Sequence, residues 1–318
     1  MASVLAVVFG LVALIGGAEL LTRGGSRLAA ALGISPMIIG LTIVSIGTST
    51  PELAVGIDAA LNDHAGLAVG NIVGTNLVNL LLILGASALI RAIALDTQTL
   101  RLDLPVMTAA ALLLWVMSLD GVLTALEGAL LVAAGLVYTV VVVRASRRES
   151  AAVREEYALE YRPERRRVAL DLGLLLAGLV VIVLGAELLV DGAVDIARAL
   201  DVSDVVIGLT VVAIGTSAPE LVTTLVSTLR GNRDIALGNL LGSSIYNIVF
   251  ILGVTLMVAP GGVAVPDDVL YIHLPLMAAV ALVCVPTFLT GRRISRVEGG
   301  MFVVAYCVYL TLLLWAQT

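Results

Sequence analysis

Long apolar stretches separated by short polar segments dominate the chain. Each stretch has about the 20 residues that a helix needs to cross the hydrocarbon core of a bilayer. The runs are continuous and not alternating, which favours helices over the strands of a membrane β-barrel. The first run lacks a basic segment before it, so we interpret it as a transmembrane helix and not as a cleaved signal peptide. The pattern predicts ten transmembrane helices, called spans 1 to 10: 3–29, 36–61, 65–90, 102–118, 122–143, 169–198, 204–229, 234–258, 269–290 and 299–316.

The chain repeats itself after a shift of 168 residues. Residues 39–53 and 207–221 are identical at twelve of fifteen positions. A register without gaps over so many residues indicates two structural halves. The same shift aligns two further pairs of segments: GAELL at 17–21 with GAELL at 185–189, and GNIVGTNLVN at 70–79 with GNLLGSSIYN at 238–247.

The two halves are predicted to have opposite orientations in the membrane. Each half contains five spans, and because five is an odd number, the second half enters the bilayer from the other side. We therefore predict an all-α integral membrane protein with two inverted five-helix repeats, 1–143 and 169–318. The segment 144–168 alternates Arg and Glu and is expected to be a solvated linker between them.

The positions of the basic residues predict the orientation. All 18 basic residues are Arg, and short cytoplasmic loops collect such residues. If both termini lie outside, seventeen of the eighteen arginines fall on the cytoplasmic side, and only Arg198 does not. We expect a multi-pass protein of the cell (inner) membrane whose linker at 144–168 is cytoplasmic.

Composition agrees with a membrane protein. Hydrophobic residues make up 60% of the chain and charged residues 13%, and the mean hydropathy is +1.09. An average soluble domain has about 25% charged residues. Cys284 and Cys307 fall within predicted spans, so neither a disulfide framework nor a cysteine metal motif is expected. We expect the lipid bilayer as a partner, no nucleic acid, and a monomeric functional unit.

Span 2 contains a signal for a helix break in its middle. Pro51 has no backbone N–H and clashes with the preceding helical turn. A break there places Glu52 in the first turn of a second half-helix, and span 7 repeats the arrangement with Pro219 and Glu220. An ionisable side chain at the bilayer centre costs roughly 2.5–3.5 kcal/mol. Both glutamates therefore need a compensating partner.

Spans 3 and 8 are expected to be interrupted and to bring polar groups to the same depth. Thr75 and Asn79 are four residues apart, as are Ser243 and Asn247, so each pair lies on one helical face. Carboxylate, amide, hydroxyl and carbonyl oxygens suit hard cations, and Ca²⁺ takes six to eight such ligands. These segments lack Cys and His, which argues against zinc and copper. The pattern predicts a midplane site for Ca²⁺ or for several Na⁺.

At these residues the chain resembles a known family. GTSTPEL with GNIVGTNLVN, and GTSAPEL with GNLLGSSIYN, resemble the two α-repeats of the cation/calcium exchanger superfamily, in the Na⁺/Ca²⁺ exchanger branch that includes compact prokaryotic members. The resemblance implies a secondary antiporter, not an enzyme, that exchanges Na⁺ for Ca²⁺ by alternating access and normally extrudes Ca²⁺. It implies no organic cofactor. It also implies that spans 1 and 6 slide against the other helices.

The resemblance implies a set of ligands as well. Glu52 and Glu220, with Thr48 and Thr216, correspond to a Ca²⁺ site. Asn247 stands where many relatives carry an acid, which bears on the ion stoichiometry. The flanking Na⁺ sites and the residues between them are implied as follows: Ser45, Thr48, Ser49 and Thr75 for one Na⁺; Ala213 (through its carbonyl), Thr216, Ser217 and Ser243 for the other; Asn79 and Asn247 in the middle.

Other functions remain open at this point. An antiporter that couples H⁺ to Ca²⁺ or to another divalent cation is one, although Asn79 and Asn247 favour Na⁺. A passive channel is another. An intramembrane hydrolase would use the two glutamates as an acid and a base, but no nucleophile with a partnered base accompanies them.

Glu19, Glu187 and Asp58 are further acidic residues within predicted spans. Glu19 and Glu187 either bind protons or ions during sliding or form hydrogen bonds to a neighbouring helix. Asp58 has no acidic counterpart in the second half. We interpret it as a charge in an external vestibule.

Overall fold

The structure is a computed structural model that describes residues 2–61, 65–147, 168–200 and 213–316. Helices account for nearly all of these residues. In the first half they are α1 (Ala2–Leu32), α2 (Pro36–Thr48), α3 (Thr50–Leu61), α4 (Gly66–Ile90), α5 (Thr99–Asp120) and α6 (Ala125–Arg147). In the second half they are α7 (Val168–Ala199), α8 (Ala213–Thr216), α9 (Ala218–Leu229), α10 (Arg233–Val258), α11 (Val269–Arg292) and α12 (Arg296–Ala316).

The all-α membrane architecture predicted from the sequence is confirmed. Within the described ranges, eight helices are long and apolar enough to cross a membrane, and α2 with α3 forms a ninth if the bent pair is one span. The first part of predicted span 7, from residue 204, lies outside the described residues, as does most of the linker at 144–168. Apolar side chains such as Val8, Phe9 and Val12 of α1 are exposed on the outer surface, where a bilayer would cover them.

Spans 3 and 8 are continuous helices in the structure. The interruption expected in each takes the form of a π-helical turn, at Val78–Ile83 in α4 and at Asn247–Leu252 in α10. A π-helical turn inserts one extra residue without ending the helix, and such turns are frequent at functional sites. Asn79 and Asn247 both lie in these turns.

Two short strand pairs, which the hydrophobic pattern did not predict, join the halves. β1 (Ile93–Ala94) pairs with β4 (Arg293–Ile294), and β2 (Val122–Leu123) pairs with β3 (Val263–Ala264), both antiparallel. The first pair joins the α4–α5 and α11–α12 loops, and the second joins the α5–α6 and α10–α11 loops. Loops that the predicted topology assigns to the same face are therefore in contact.

α1 and α7 pack against each other along their whole length through glycines. Gly10, Gly17 and Gly24 recur every seven residues on α1 and face backbone atoms of α7. A Cβ atom added at Gly17 would lie 2.8 Å from the carbonyl oxygen of Gly178, and one added at Gly178 would lie 2.7 Å from the carbonyl oxygen of Gly17. Small residues allow helix backbones in membranes to approach this closely. The α1–α7 pair therefore forms one closely packed unit.

The remaining helices surround a separate and larger apolar core. Fully buried side chains of α4, α5, α10 and α11 form it, whereas a smaller apolar cluster lies between α1, α7 and their neighbours. The polar segments of the two repeated motifs lie where these two cores meet.

Candidate functional site

The repeated motifs form two equivalent helix breaks. α2 and α3 meet at an angle of 41°, and Ser49 between them has φ −83° and ψ 11°. Ser217, between α8 and α9, has nearly the same values, φ −86° and ψ 5°. Each break is followed by a half-helix that carries a glutamate in its first turn, Glu52 in α3 and Glu220 in α9.

The helix ends at each break carry partial charges. The first turn of a helix has free N–H groups and partial positive charge, which stabilises a carboxylate. Pro51 and Pro219 have no N–H to donate to the carbonyl oxygens of Gly47 and Gly215, four residues earlier. Each break therefore places a carboxylate next to carbonyl oxygens, an arrangement that suits a cation.

The two carboxylates are completely buried. Glu52 and Glu220 have no exposed surface, and they are close enough to interact electrostatically. Among the described residues, neither oxygen of Glu52 has a hydrogen-bond partner, nor does Oε2 of Glu220. No Arg or His side chain in the described ranges is buried. The site therefore has negative charge without a positive side chain to balance it.

Contacts across the halves join the two breaks into one site. The hydroxyl of Ser49 donates to Oε1 of Glu220 at 3.0 Å. The hydroxyl of Thr48 donates to Oδ1 of Asn239 at 3.2 Å. Residues of α2 thus contact the break and helices of the second half.

Most of the other predicted ligands are also buried, and the π-helical turns that carry Asn79 and Asn247 contact α9 and α3, respectively. Several polar atoms of these ligands have no hydrogen-bond partner within the described part of the chain. These atoms are the amide nitrogen and oxygen of Asn79 and Asn247 and the hydroxyl oxygens of Ser217 and Ser243. Unpaired buried polar groups are rare in proteins, because each costs about 1–3 kcal/mol. Unpaired polar groups on elements that pack against the two glutamate-bearing half-helices suit a ligand that supplies positive charge. The predicted residues that are buried are Ser45, Thr48, Ser49, Glu52, Thr75, Asn79, Ser217, Glu220, Ser243 and Asn247.

Thr216, Ala213 and Ser45 are not among the ligands with unpaired side-chain atoms. Thr216 is partly buried, and Ala213 begins α8. The hydroxyl of Ser45 bonds to the carbonyl oxygen of Leu41 in the preceding turn. It also donates to the carbonyl oxygen of Thr42 at 3.3 Å, so the hydroxyl hydrogen of Ser45 is already used within its own helix.

The structure adds Asn239, which was not predicted as a site residue. Its Nδ2 donates to Thr224 Oγ1 at 3.0 Å and to the carbonyl oxygen of Glu220 at 3.5 Å, while its Oδ1 accepts from Thr48. Asn239 thus holds both halves of the site. The signal was available, because the Gly-Asn pair that begins GNLLGSSIYN also begins GNIVGTNLVN, at Asn71.

Three other acids in spans lie apart from this site. Glu19 forms ion pairs with Arg23 and Arg230. These contacts agree with the interpretation that Glu19 bonds to a neighbouring helix, and not with the one in which it binds protons or ions. Glu187 and Asp58 are exposed. Within the described ranges, no group of three or more His, Cys, Asp or Glu residues is placed to hold a metal ion. A cation here would bind two carboxylates and neutral oxygens.

The chain is similar to known proteins over nearly its whole length. The family described as sodium/calcium exchanger protein matches residues 2–144 and 170–315. The putative antiporter CaxA of Alkalimonas amylolytica is 39% identical over 310 residues, covering 96% of this chain and 97% of that protein. Inner membrane protein YrbG of Escherichia coli is 32% identical, covering 97% and 96%. A solved structure of the sodium/calcium exchanger from Methanococcus jannaschii is 30% identical, covers 98% of both chains and has a TM-score of 0.84.

Proposed function

Because this chain belongs to the sodium/calcium exchanger protein family, we propose that it exchanges Na⁺ for Ca²⁺ across the cell membrane by alternating access. It is a multi-pass cation/calcium antiporter and not an enzyme. The identity of the coupling ion, the direction of transport and the ligand residues are our proposals. The name of the solved sodium/calcium exchanger supports the choice of ions, and that of the putative antiporter CaxA supports antiport.

One observation carries the proposal. Glu52 and Glu220 come from the two copies of one motif, are fully buried, and have three carboxylate oxygens without a partner among the described residues. Two carboxylates balance one divalent cation, and this balance offsets the cost of placing them in a nonpolar environment. Ca²⁺ prefers such oxygen ligands.

We assign the ligands as the motifs imply. Ca²⁺ binds between Glu52 and Glu220 and takes further oxygens from Thr48 and Thr216. Asn79 and Asn247 complete the centre of the site. One Na⁺ binds Ser45, Thr48, Ser49 and Thr75, and another binds Ala213 (through its carbonyl), Thr216, Ser217 and Ser243.

Shared ligands explain the exchange. Thr48 and Thr216 belong to both the Ca²⁺ and the Na⁺ sets, so the two ions compete and do not bind together. When Ca²⁺ leaves, Na⁺ ions replace its charge beside Glu52 and Glu220. A site that is empty leaves two buried carboxylates uncompensated, which disfavours movement without an ion. This energetic cost of an empty site couples the flux of Na⁺ to that of Ca²⁺.

The α1–α7 pair is placed to control access. Gly47, next to the first break, faces the side chain of Leu179, and Gly215, next to the second break, faces Val190. Leu179 and Val190 are eleven residues apart on α7, about 16 Å along a helix. α7 therefore covers both breaks, and sliding of the α1–α7 pair would open one side while closing the other.

Na⁺, and not H⁺, is the coupling ion in this proposal. Asn79 and Asn247 supply neutral amide oxygens, which bind Na⁺ but do not exchange protons at ordinary pH. The similarity to a solved sodium/calcium exchanger supports the same choice. Na⁺ entering down its gradient would drive Ca²⁺ out of the cell.

The orientation follows from the arginines. We propose that both termini are outside and that the linker at 144–168 is cytoplasmic, between repeats at 1–143 and 169–318. The strand pair β1–β4 supports this topology, because Arg91, Arg292 and Arg293 lie beside it on one face. Such a face is the cytoplasmic one by the positive-inside rule. The name of inner membrane protein YrbG agrees with the proposed location.

Isotopic Ca²⁺ uptake into liposomes tests the function. Purified protein is reconstituted into Na⁺-loaded vesicles, and uptake is measured after dilution into medium without Na⁺. We expect uptake that requires the outward Na⁺ gradient and is lost when K⁺ or a pH gradient replaces it.

Other results would contradict the proposal. Uptake driven equally well by a pH gradient without Na⁺ would make the protein a proton-coupled antiporter. Ca²⁺ flux without counter-flow of Na⁺ would make it a channel.

A further inference from the structure

A cluster of polar contacts joins α1 to the end of α9. Oε2 of Glu19 accepts a hydrogen bond from Nε of Arg230 at 2.8 Å, and the two residues form an ion pair. One turn further along α1, the hydroxyls of Thr22 and Ser227 lie 2.9 Å apart. We call these four residues the α1–α9 contact.

The α1–α9 contact is partly shielded from solvent. Thr22 and Ser227 are buried, and the Glu19 side chain is 19% exposed. The two arginines around Glu19 remain more than half exposed, at 58% for Arg23 and 57% for Arg230. Arg23 lies on the same helix as Glu19, so only Arg230 ties the acid to another element.

The contact lies on one face of the molecule only. The shift of 168 residues relates Glu19 to Glu187, but it relates Arg230 to Asn62 and Arg23 to Asp191. Among the described residues, Glu187 is exposed and forms no ion pair or side-chain hydrogen bond. The acid is thus repeated in the second half, whereas its cationic partners are not.

The hydroxyl pair is not repeated either. The same shift relates Thr22 to Val190 and Ser227 to Ala59, neither of which has a side-chain hydroxyl. The sequence therefore provides the contact at the end of α1 near the arginine-rich loops and provides no counterpart at the opposite face.

We propose that the α1–α9 contact keeps the cytoplasmic side of the transporter closed and sets the balance between its outward-open and inward-open states. This inference rests on the alternating-access function proposed above. The α1–α7 pair moves as one closely packed unit, so opening the cytoplasmic side separates Glu19 from Arg230 and Thr22 from Ser227. Because the sequence repeats neither the ion pair nor the hydroxyl pair on the other side, the outward-open state is favoured. Glu19 and Arg230 are positioning residues and bind no transported ion.

A cysteine reporter tests this balance without measuring transport. Ser26 is buried, and it follows Thr22 by one turn on the same face of α1. Ser26→Cys is introduced into full-length protein that also carries Cys284→Ala and Cys307→Ser. The rate of reaction with a membrane-impermeant maleimide, added to the cytoplasmic side, reports opening of that side.

We expect Glu19→Gln and Arg230→Gln each to raise the labelling rate about fivefold, the size of change that loss of a partly exposed ion pair allows. Arg23 also faces position 19, so the exchanged pair, Glu19→Arg with Arg230→Glu, is made together with Arg23→Gln. It should return the rate to within about twofold of the Arg23→Gln protein. Na⁺-driven Ca²⁺ uptake retained by each single variant would show that it folds. The matched control Glu187→Gln should label at the parent rate.

The same variants give a second measurement, which a merely structural role would not change. Breaking the contact should lower the apparent KM for Ca²⁺ on the cytoplasmic side and raise it on the external side. A damaged protein would instead lose maximal rate on both sides.

Several results would overturn the inference. They are parent labelling rates in both single variants, equal acceleration by Glu187→Gln, or no rescue by the exchanged pair. A parent protein that exchanges no Ca²⁺ for Na⁺ would contradict the proposed function, while the labelling rates would still report the contact. The two failures are therefore distinguishable.

Discussion

Glu52 and Glu220 are equivalent in the repeat but not in their surroundings. Glu220 accepts a hydrogen bond from Ser49, whereas both oxygens of Glu52 lack a partner among the described residues. Glu52 therefore depends more on a bound cation than Glu220 does. The two copies of the motif are thus alike in sequence but differ in how their glutamates are hydrogen-bonded.

Removing either charge should abolish exchange. Glu52→Gln or Glu220→Gln leaves one carboxylate for a divalent ion, and loss of one partner of a buried charge pair costs about 3–5 kcal/mol. We expect Na⁺-driven Ca²⁺ uptake to fall at least about a hundredfold. Glu187→Gln, which removes an exposed acid, should transport normally. Substantial exchange by Glu52→Gln would contradict the ligand assignment.

Asn239→Ala should weaken Ca²⁺ binding without abolishing transport. The side chain contacts Thr48, Thr224 and the backbone of Glu220, and leaving buried partners unpaired costs about 1–3 kcal/mol. We expect a higher KM for Ca²⁺ and a lower melting temperature. Asn71→Ala is the matched control, because the buried Nδ2 of Asn71 has no partner among the described residues. Equal effects of the two variants would contradict a positioning role for Asn239.

Candidate site residues could be predicted where a polar or acidic residue recurs at the same position in both copies of the motif. Two buried acids beside hydroxyls and amides needed a cation, whatever their distances. Asn239 was missed because its role is to hold Thr48 and Glu220, and such contacts depend on how α10 packs. The Glu19–Arg230 pair also depends on packing, because it joins positions 211 residues apart.

At the scale of helices, the spacing of glycines determines how α1 meets α7. Gly17→Ala would place a Cβ atom 2.8 Å from the carbonyl oxygen of Gly178, so the backbones would have to separate. Such overpacking destabilises a protein by about 1–3 kcal/mol. We therefore expect the melting temperature in detergent to fall by several degrees. Gly16→Ala, one residue away, meets nothing within 4 Å and should have little effect. Similar melting temperatures for both variants would show that the helices do not pack closely through this glycine.

The helices themselves were largely predictable, but their internal geometry was not. Apolar length identified the spans, and Pro51 and Pro219 marked the two breaks. The π-helical turn of α4 contains no proline or glycine, Val78–Ile83 being VNLLLI. Nothing in that local sequence distinguishes it from an ordinary helical turn, because its geometry reflects packing against neighbouring helices.

For the whole molecule, binding of Ca²⁺ should stabilise the fold. A ligand that binds only the native state at a hundred times its Kd adds about 2.7 kcal/mol. We expect Ca²⁺ to raise the melting temperature of the purified protein and Glu52→Gln to eliminate the rise. Glu187→Gln should keep it. A rise that persists in Glu52→Gln would place the bound Ca²⁺ elsewhere.

The order of spans and the class of fold followed from hydropathy and from the repeat. The contacts between halves did not, because two-residue strands such as Ile93–Ala94 have no periodic pattern to detect. β1 and β2 belong to the first half, and each finds its partner in the second.

These strand pairs have a consequence for biogenesis. A chain emerging from the ribosome presents the N-terminal half first, with the hydrogen-bonding edges of Ile93–Ala94 and Val122–Leu123 unsatisfied. Their partner strands are synthesised more than a hundred residues later. Neither strand pair can therefore form until most of the second half has been synthesised, so these links between the halves are completed late in translation.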